Sequence, residues 1–129
     1  MVHAAHTLHV LAGRYAICRL EPAAPLPGWA TGDRLLSITR TASELSIVCP
    51  EEQVPADARC DRGWRVLEVQ GPFDLAATGL VASIAGPLAT AGISLFVVST
   101  YDTDYVLVKD AVLSRASSAL VARGHRVHG

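Results

Sequence analysis

The fold is decided by residues 71–108, which read GPFDLAATGLVASIAGPLATAGISLFVVSTYDTDYVLV. From 75 to 88 apolar and small side chains recur at helical spacing without a long charged side chain, which predicts a closely packed helix over 75–89. Gly92 is placed to end this helix, because glycine readily adopts the left-handed conformation that closes many helices. Residues 93–99 and 103–109 are rich in β-branched and aromatic side chains and predict two strands joined by a polar turn at 100–104.

The segments on either side of residues 71–108 complete one structural unit. Residues 64–69 alternate apolar and charged side chains and predict a strand. Residues 110–122 predict a helix with Asp110 as its N-cap and Gly124 as its C-cap, followed by a short strand over 125–127. The order βαββαβ is that of the split βαβ motif, which forms a four-stranded antiparallel sheet with two helices on one face.

The first half of the chain predicts a similar set of paired strands with less regular helices. Strands over 6–10 and 15–20 are expected to form a hairpin through the turn at 12–13, and strands over 35–39 and 45–49 flank a polar loop. Three prolines between 21 and 32 exclude a long helix there. The polar segment 50–63 is the expected crossover between the halves. The predicted domains are residues 1–62, with degenerate helices, and residues 63–129.

Composition limits the possible partners. The chain has 129 residues, half of them hydrophobic, and a formal net charge of -1. This balance gives no electrostatic case for binding nucleic acid or an anionic membrane. No run approaches the roughly 20 apolar residues of a membrane-spanning helix, and the N-terminus does not resemble a signal peptide. A cytoplasmic protein is therefore expected.

The cysteines predict reduced thiols. Cys18, Cys49 and Cys60 are an odd number without a close pair in the sequence, and Cys18 and Cys49 fall in predicted strands as small hydrophobic side chains. Cys60 lies between Arg59 and Arg62, which would lower a thiol pKa. Without a neighbouring base, a nucleophilic role for it is disfavoured.

No pattern of catalytic or metal-binding residues is present. His3, His6 and His9 are spaced by three, but no cysteine or carboxylate nearby completes a ligand set, so solvated surface histidines are expected. The chain has no G-x-S-x-G elbow, no phosphate-binding glycine loop and no serine, histidine and aspartate set that the sequence brings together. We therefore predict no enzymatic activity and no cofactor.

Residues 71–120 resemble an ACT domain of the kind found in small bacterial tandem-ACT proteins and in CASTOR-type cytosolic arginine sensors. The resemblance is carried by L-x-x-A-G-I at 88–93, the strand after it, and the S-T-Y-x-x-D-Y-V-L-V hairpin at 99–108. Residues 36–55 are similar to the first module of the same proteins. The resemblance implies an α+β fold of two tandem ferredoxin-like (βαββαβ) modules, with antiparallel sheets and helices on one face.

The resemblance also implies a non-catalytic module that binds an amino acid beside the loop before the first helix. Transferred by position, the ligand-binding residues are Gly71, Pro72, Phe73, Asp74, Leu75, Thr78, Gly79, Ser99, Thr100, Asp102, Thr103 and Asp104. Members of the family are commonly attached to catalytic or DNA-binding domains, and this chain contains neither pattern.

The residues themselves support such a site but leave their roles open. An amino acid needs N–H donors for its carboxylate, and the amides of Ala76, Ala77 and Thr78 would supply them at a helix N-terminus. Asp74 is either the N-cap of that helix or a partner of the ligand ammonium group. Asp102 and Asp104 are either turn formers or ammonium partners, with Asp104 the better candidate.

Two functional hypotheses remain open. The first is a regulatory or sensor protein that binds a small molecule, most simply an amino acid of unspecified identity. The second is an interaction module without a ligand, which forms a homodimer or docks onto a partner enzyme through exposed strand edges.

Overall fold

The structure is a computed structural model that describes residues 5–129. In chain order its elements are β1 (Thr7–Val10), β2 (Tyr15–Leu20), β3 (Ser37–Arg40), β4 (Leu45–Pro50), β5 (Cys60–Val69), α1 (Leu80–Thr90), β6 (Phe96–Ser99), β7 (Asp104–Lys109), α2 (Leu113–Ala122) and β8 (Arg126–His128). Single 3-10 turns lie at Glu51–Gln53 and Asp110–Val112. The chain divides into a larger unit, residues 5–12 with 65–129, and a smaller unit, residues 13–64.

The larger unit consists of a β-sheet layer and a layer of two α-helices. Its strands are ordered β6-β7-β5-β1-β8, and β1 pairs antiparallel with β5 and parallel with β8, so the sheet is mixed. Both helices pack on one face of it, because α1 contributes Ile84 and Leu88, and α2 contributes Ala116 and Leu120, to a single core. The sheet side of this core consists of Leu8, Leu67, Val69, Val106 and Val108.

The first helix begins five residues later than predicted. The Ala76 amide donates to Asp74 Oδ1 at 2.8 Å and the Ala77 amide donates to the Asp74 carbonyl oxygen at 2.9 Å, so residues 74–77 form a turn. Gly79 then takes a left-handed φ of 81° as the N-cap. The spacing of apolar side chains, on which the prediction was based, contains no information about this competition between Asp74 and the helix for backbone donors.

The end of α1 is as predicted. Gly92 has a φ of 73°, and the Ile93 amide donates to the Leu88 carbonyl oxygen at 2.9 Å, which closes the helix. Pro87 lies inside the last turns without ending the helix.

The second helix is shorter than predicted. It begins at Leu113 with Val112 as its N-cap, so the assignment of Asp110 as N-cap is wrong. Asp110 forms an ion pair with Arg65 at 3.2 Å instead. The helix end is confirmed: Gly124 follows it with a φ of 92°, and the His125 amide donates to the Leu120 carbonyl oxygen.

The predicted hairpin between the first two strands is wrong. β1 pairs with β5 and β8, whereas β2 pairs with β4 and β5. Burial explains the choice, because Leu8 is fully buried where it lies opposite Val69 and Val127. As a result β1 belongs to the larger unit, while the predicted division at residue 62 had placed it with the first module.

The smaller unit is a sheet ordered β3-β4-β2-β5, to which β5 contributes its first residues. It contains no α-helix between residues 13 and 64, as the prolines indicated. Ala24, Trp29 and Ala30, from the proline-rich loop, pack on its core instead. That this unit counts as a second ACT module stays a prediction.

Within residues 5–129, no helix has both the length and the apolar character needed to cross a membrane.

Candidate functional site

The two polar stretches singled out in the sequence meet in the larger unit. The Phe73 amide donates to the Asp102 carbonyl oxygen at 2.7 Å and joins the loop before α1 to the turn between β6 and β7. Gly71 permits this approach, because a Cβ there would lie 3.0 Å from the Asp102 carbonyl oxygen and 3.2 Å from the Thr103 Cβ. The absence of a side chain at Gly71 therefore allows the two loops to face one cleft.

The cleft has a volume of about 320 Å³. Nine of the twelve predicted residues line it: Phe73, Asp74, Leu75, Gly79, Ser99, Thr100, Asp102, Thr103 and Asp104. Gly71, Pro72 and Thr78 do not, although Gly71 supports it from behind. Four lining residues were missed by the sequence analysis: Leu80, Val81, Ala82 and Tyr101; a fifth, Ala77, had been named only for its amide. Three of them belong to the true first turn of α1, so they were missed because the helix was placed too early.

The backbone donors of the cleft also differ from those predicted. The amides of Ala76 and Ala77 are engaged by Asp74 and are not available to a ligand. The first helical hydrogen bond of α1 is donated by the Ser83 amide to the Gly79 carbonyl oxygen. The amides of residues 80–82 therefore have no acceptor within the helix. These amides carry the partial positive charge of the helix N-terminus into the cleft.

Asp104 is the distinctive acidic group of the cleft. The residue as a whole is 9% exposed, its carboxylate oxygens are accessible from the cleft, and within residues 5–129 they form no hydrogen bond or ion pair. Its backbone pairs with Ser99 at the start of β7, so its position is fixed by the strand ladder. A carboxylate held in this way can pair with a cation in the cleft.

The other two aspartates are exposed. Asp74 is not the N-cap of α1, because Gly79 holds that position, and its carboxylate closes the turn through the Ala76 amide. Asp102 supplies its carbonyl oxygen to Phe73 and leaves its side chain in solvent. Both add negative charge at the mouth of the cleft.

Two threonines hold the hairpin turn rather than offering free hydroxyl groups. Thr103 Oγ1 donates to the Val69 carbonyl oxygen at 2.6 Å. Thr100 Oγ1 donates to the Thr103 carbonyl oxygen at 2.9 Å, and the Thr100 amide donates to the same oxygen at 2.8 Å. These bonds fix the orientation of the turn on which Asp104 and Tyr101 are displayed.

A histidine pair supports the cleft from behind. His125 is 4% exposed; its Nδ1 accepts from the His6 amide at 3.0 Å, and its Nε2 lies 3.0 Å from the Ser83 carbonyl oxygen of α1. The His6 ring stacks on His125 and meets Phe73 edge to face, both at 5.5 Å between ring centroids. The expectation of a solvated surface histidine is thus wrong for His6, and His3 lies outside the described residues.

This packing predicts a loss of stability in mild acid. Burial, and then repulsion from His125, lowers the pKa of His6 below its ordinary value. The unfolded chain, in which the pKa is about 6.5, takes up a proton that the folded protein resists. The contribution of His6 is therefore complete above about pH 6.5 and is lost as the pH falls toward the lower folded pKa. We expect the melting temperature to fall over that interval.

The matched control is His6→Phe, which keeps the stacked ring and the amide that bonds to His125 but removes the titration. Thermal melts of both proteins across the same pH range give the test. The variant should lose less stability than the natural protein, because carboxylate titration affects both equally. Identical losses would show that His6 does not contribute to the acid sensitivity.

Metal binding has no candidate site in the described part of the chain, where no three histidine, cysteine, aspartate or glutamate side chains are grouped to hold an ion.

Models of known families match both halves of the chain. A model of the ACT domain matches residues 59–122, and a second model, for an N-terminal domain, matches residues 13–57. The ACT match covers the first helix, the hairpin and the second helix, and therefore every residue that lines the cleft.

Three similar proteins illustrate the range of relatives. A protein of Agrobacterium tumefaciens with a crystal structure is 43% identical, with a TM-score of 0.91 over 97% of this chain and 93% of that one. The human cytosolic arginine sensor for mTORC1 subunit 1 is 44% identical over 48 residues, 36% of this chain and 15% of the sensor. The regulatory subunit of aspartate kinase from Thermus thermophilus is 10% identical, with a TM-score of 0.61 over 89% of this chain and 97% of that one, which shows the fold alone. The matched segment thus spans a small part of the arginine sensor.

Proposed function

Because this chain belongs to the ACT-domain family, we propose that it is a non-catalytic regulatory or sensor protein whose cleft binds a free amino acid. The observation that carries the proposal is the carboxylate of Asp104, which forms no bond within residues 5–129 and lines the same cleft as the N-terminal amides of α1. An amino acid presents one cation and one anion a short distance apart, and the cleft offers a group of opposite charge for each.

The roles follow from the chemistry of the lining. The carboxylate of the ligand binds the amides of residues 80–82, where the helix dipole favours an anion. Its ammonium group binds Asp104. Phe73, Leu75 and Leu80 form the apolar part of the wall, against which the aliphatic portion of a ligand packs.

The charges of the cleft favour a basic amino acid. Asp74, Asp102 and Asp104 line it, and among residues 5–129 no lysine or arginine does. One carboxylate is needed for the ligand ammonium group, so two remain for a cationic side chain at the mouth. Arginine is the first probe to use, because a relative that matches part of the chain is named an arginine sensor.

A thermal-shift titration tests the binding. Arginine and lysine should raise the melting temperature in a concentration-dependent manner, since a ligand that binds only the folded state stabilises it by mass action. Glutamate should raise it less, because its side chain would meet Asp74 and Asp102. No shift with any of the twenty amino acids at millimolar concentration would overturn amino acid binding, and a shift with glutamate alone would overturn the preference for a cation.

A hydrophobic rim around the cleft favours docking of a second protein as the alternative function. Leu75, Val81 and Tyr101 are 68%, 42% and 78% exposed, and all three line the cleft. Exposed apolar groups gathered at one place are typical of interaction sites. The protein that docks on this rim is either a second copy of this chain or a partner enzyme. A regulatory role requires such a partner.

Light scattering after size exclusion tests the homodimer. If a second copy covers the rim, Tyr101→Ser should weaken the dimer by about tenfold or more, because aromatic side chains dominate interface energetics. Val121→Ser is the matched control, since Val121 is 55% exposed and lies outside the cleft. A monomer at all concentrations, or equal effects of both variants, would exclude this occupant.

We also propose a cytoplasmic location, because the arginine sensor that matches part of the chain is named as a cytosolic protein.

A further inference from the structure

The three cysteines, which are far apart in the sequence, converge in the smaller unit. Cys18 lies in β2, Cys49 in β4 and Cys60 at the start of β5, on adjacent strands of one sheet. The Cys18 thiol lies close enough to both of the others for them to affect its pKa. Cys18 and Cys49 are buried, whereas Cys60 is partly exposed.

The strand register distinguishes between the two possible pairs. Cys18 lies directly opposite Cys60. The Arg19 amide donates to the Arg59 carbonyl oxygen at 3.0 Å, so these neighbours form a hydrogen-bonded pair of the antiparallel ladder. Such pairs alternate with non-hydrogen-bonded pairs, whose Cα atoms are only about 4.5 Å apart and whose side chains approach most closely. Cys18 and Cys60 therefore form a non-hydrogen-bonded pair.

That separation suits a disulfide bond. Bridged cysteines have Cα atoms about 4.4 to 6.8 Å apart. Cys60 is also the first residue of β5.

Cys49 is less well placed despite its contact with Cys18. Its direct partner across the ladder is Ala16, and the partner of Cys18 on β4 is Ile47. Cys49 is thus a diagonal neighbour of Cys18, and diagonal Cα atoms are about 7–8 Å apart, beyond the usual range for a disulfide.

We propose that Cys18 and Cys60 form a reversible disulfide when the protein is exposed to hydrogen peroxide, and that the smaller unit is thereby a site of oxidative modification. The Cys60 sulfur attacks one peroxide oxygen, the O–O bond breaks, and Cys60 becomes a sulfenic acid with release of water. The Cys18 sulfur then displaces the hydroxyl group of the sulfenic acid, and the thiol proton leaves with it as a second water. The peroxide supplies the two-electron oxidation, and an external thiol reverses it by exchange.

The order of the two steps follows from access and protonation. Cys60 is within reach of a small oxidant, whereas Cys18 is 1% exposed. Burial, followed by the neighbouring thiols, raises the pKa of Cys18 to about 12, so Cys18 stays protonated at neutral pH and is a poor first nucleophile. It acts once the sulfenic acid has formed directly beside it.

Mass spectrometry of the peroxide-treated folded protein tests the proposal, and the arginines make the result easy to interpret. Trypsin places the cysteines in three separate peptides, residues 15–19, 41–59 and 60–62. The expected product has lost about 2 Da, the mass of two hydrogen atoms, and its digest contains 15–19 joined to 60–62. Dithiothreitol should restore both the mass and the separate peptides.

Single substitutions sharpen the test. Cys49→Ser should form the bridge as the natural protein does, whereas Cys60→Ser should not lose two hydrogen atoms. A link from 41–59 to either other peptide, a bridge between two chains, or a product that only gains oxygen would overturn the proposal. The peptide map of the natural protein decides the question even where a variant fails to fold.

Discussion

Asp104→Asn should abolish the stabilisation of this protein by arginine while leaving the stability of the free protein nearly unchanged. The side chain keeps its size, so the cleft and the strand ladder are retained. A hydrogen bond to a charged group contributes about 1.5–3 kcal/mol. Its loss would weaken binding by roughly 10- to 100-fold, enough to remove a thermal shift measured near the dissociation constant.

The effect on the free protein makes this variant more informative than an ordinary loss of function. Asp104 is 9% exposed as a residue, but its carboxylate oxygens are accessible from the cleft and form no bond within residues 5–129 that the substitution would break. The amide has nearly the same size and leaves no other group without a partner. The melting temperature without ligand should therefore change little.

Asp57→Asn is the control, since Asp57 is exposed and does not line the cleft. It should preserve both the melting temperature and the arginine shift. If Asp104→Asn bound arginine as tightly as the natural protein, the ammonium contact would have to be reassigned to Asp74 or Asp102. If the variant unfolded, Asp104 would be a structural residue whose partner forms only in an assembly.

Sequence patterns predicted the elements of the larger unit because its strands and helices are locally consistent. The run at 104–109 is β-branched and apolar, Leu88 and Ile84 have helical spacing, and Gly92 and Gly124 end the helices where they were expected to. The candidate site was predictable to the same degree, since nine of its lining residues lie in two polar breaks between such elements.

The errors arise where a side chain or a distant strand competes with local preference. Asp74 accepts hydrogen bonds from backbone donors that would have started α1, so the N-terminal amides of α1 lie four residues further on than the predicted ones. β1 pairs with β5 and β8 rather than with β2, its neighbour in the sequence, because Leu8 is buried there by residues more than fifty positions away. The proximity of Cys18 to Cys60 depends on the β2 to β5 register, which no local pattern contains.

Leu88→Ala should have the opposite profile to Asp104→Asn. Leu88 belongs to the L-x-x-A-G-I segment that carries the family resemblance, but its side chain is fully buried in the core between the helices and the sheet. Truncating such a leucine costs about 2–5 kcal/mol, from lost burial and from the cavity that remains. We expect a large fall in the urea midpoint of unfolding.

Arginine binding by the folded fraction should nevertheless be unchanged, because Leu88 does not line the cleft and its carbonyl bond to the Ile93 amide is retained. Calorimetric titration well below the melting temperature of the variant makes the comparison, with Val121→Ala as an exposed control whose stability should barely change. An affinity that falls with Leu88→Ala as much as with Asp104→Asn would mean that the core and the cleft are coupled through α1. The division of this segment into a structural leucine and a functional hairpin would then be wrong.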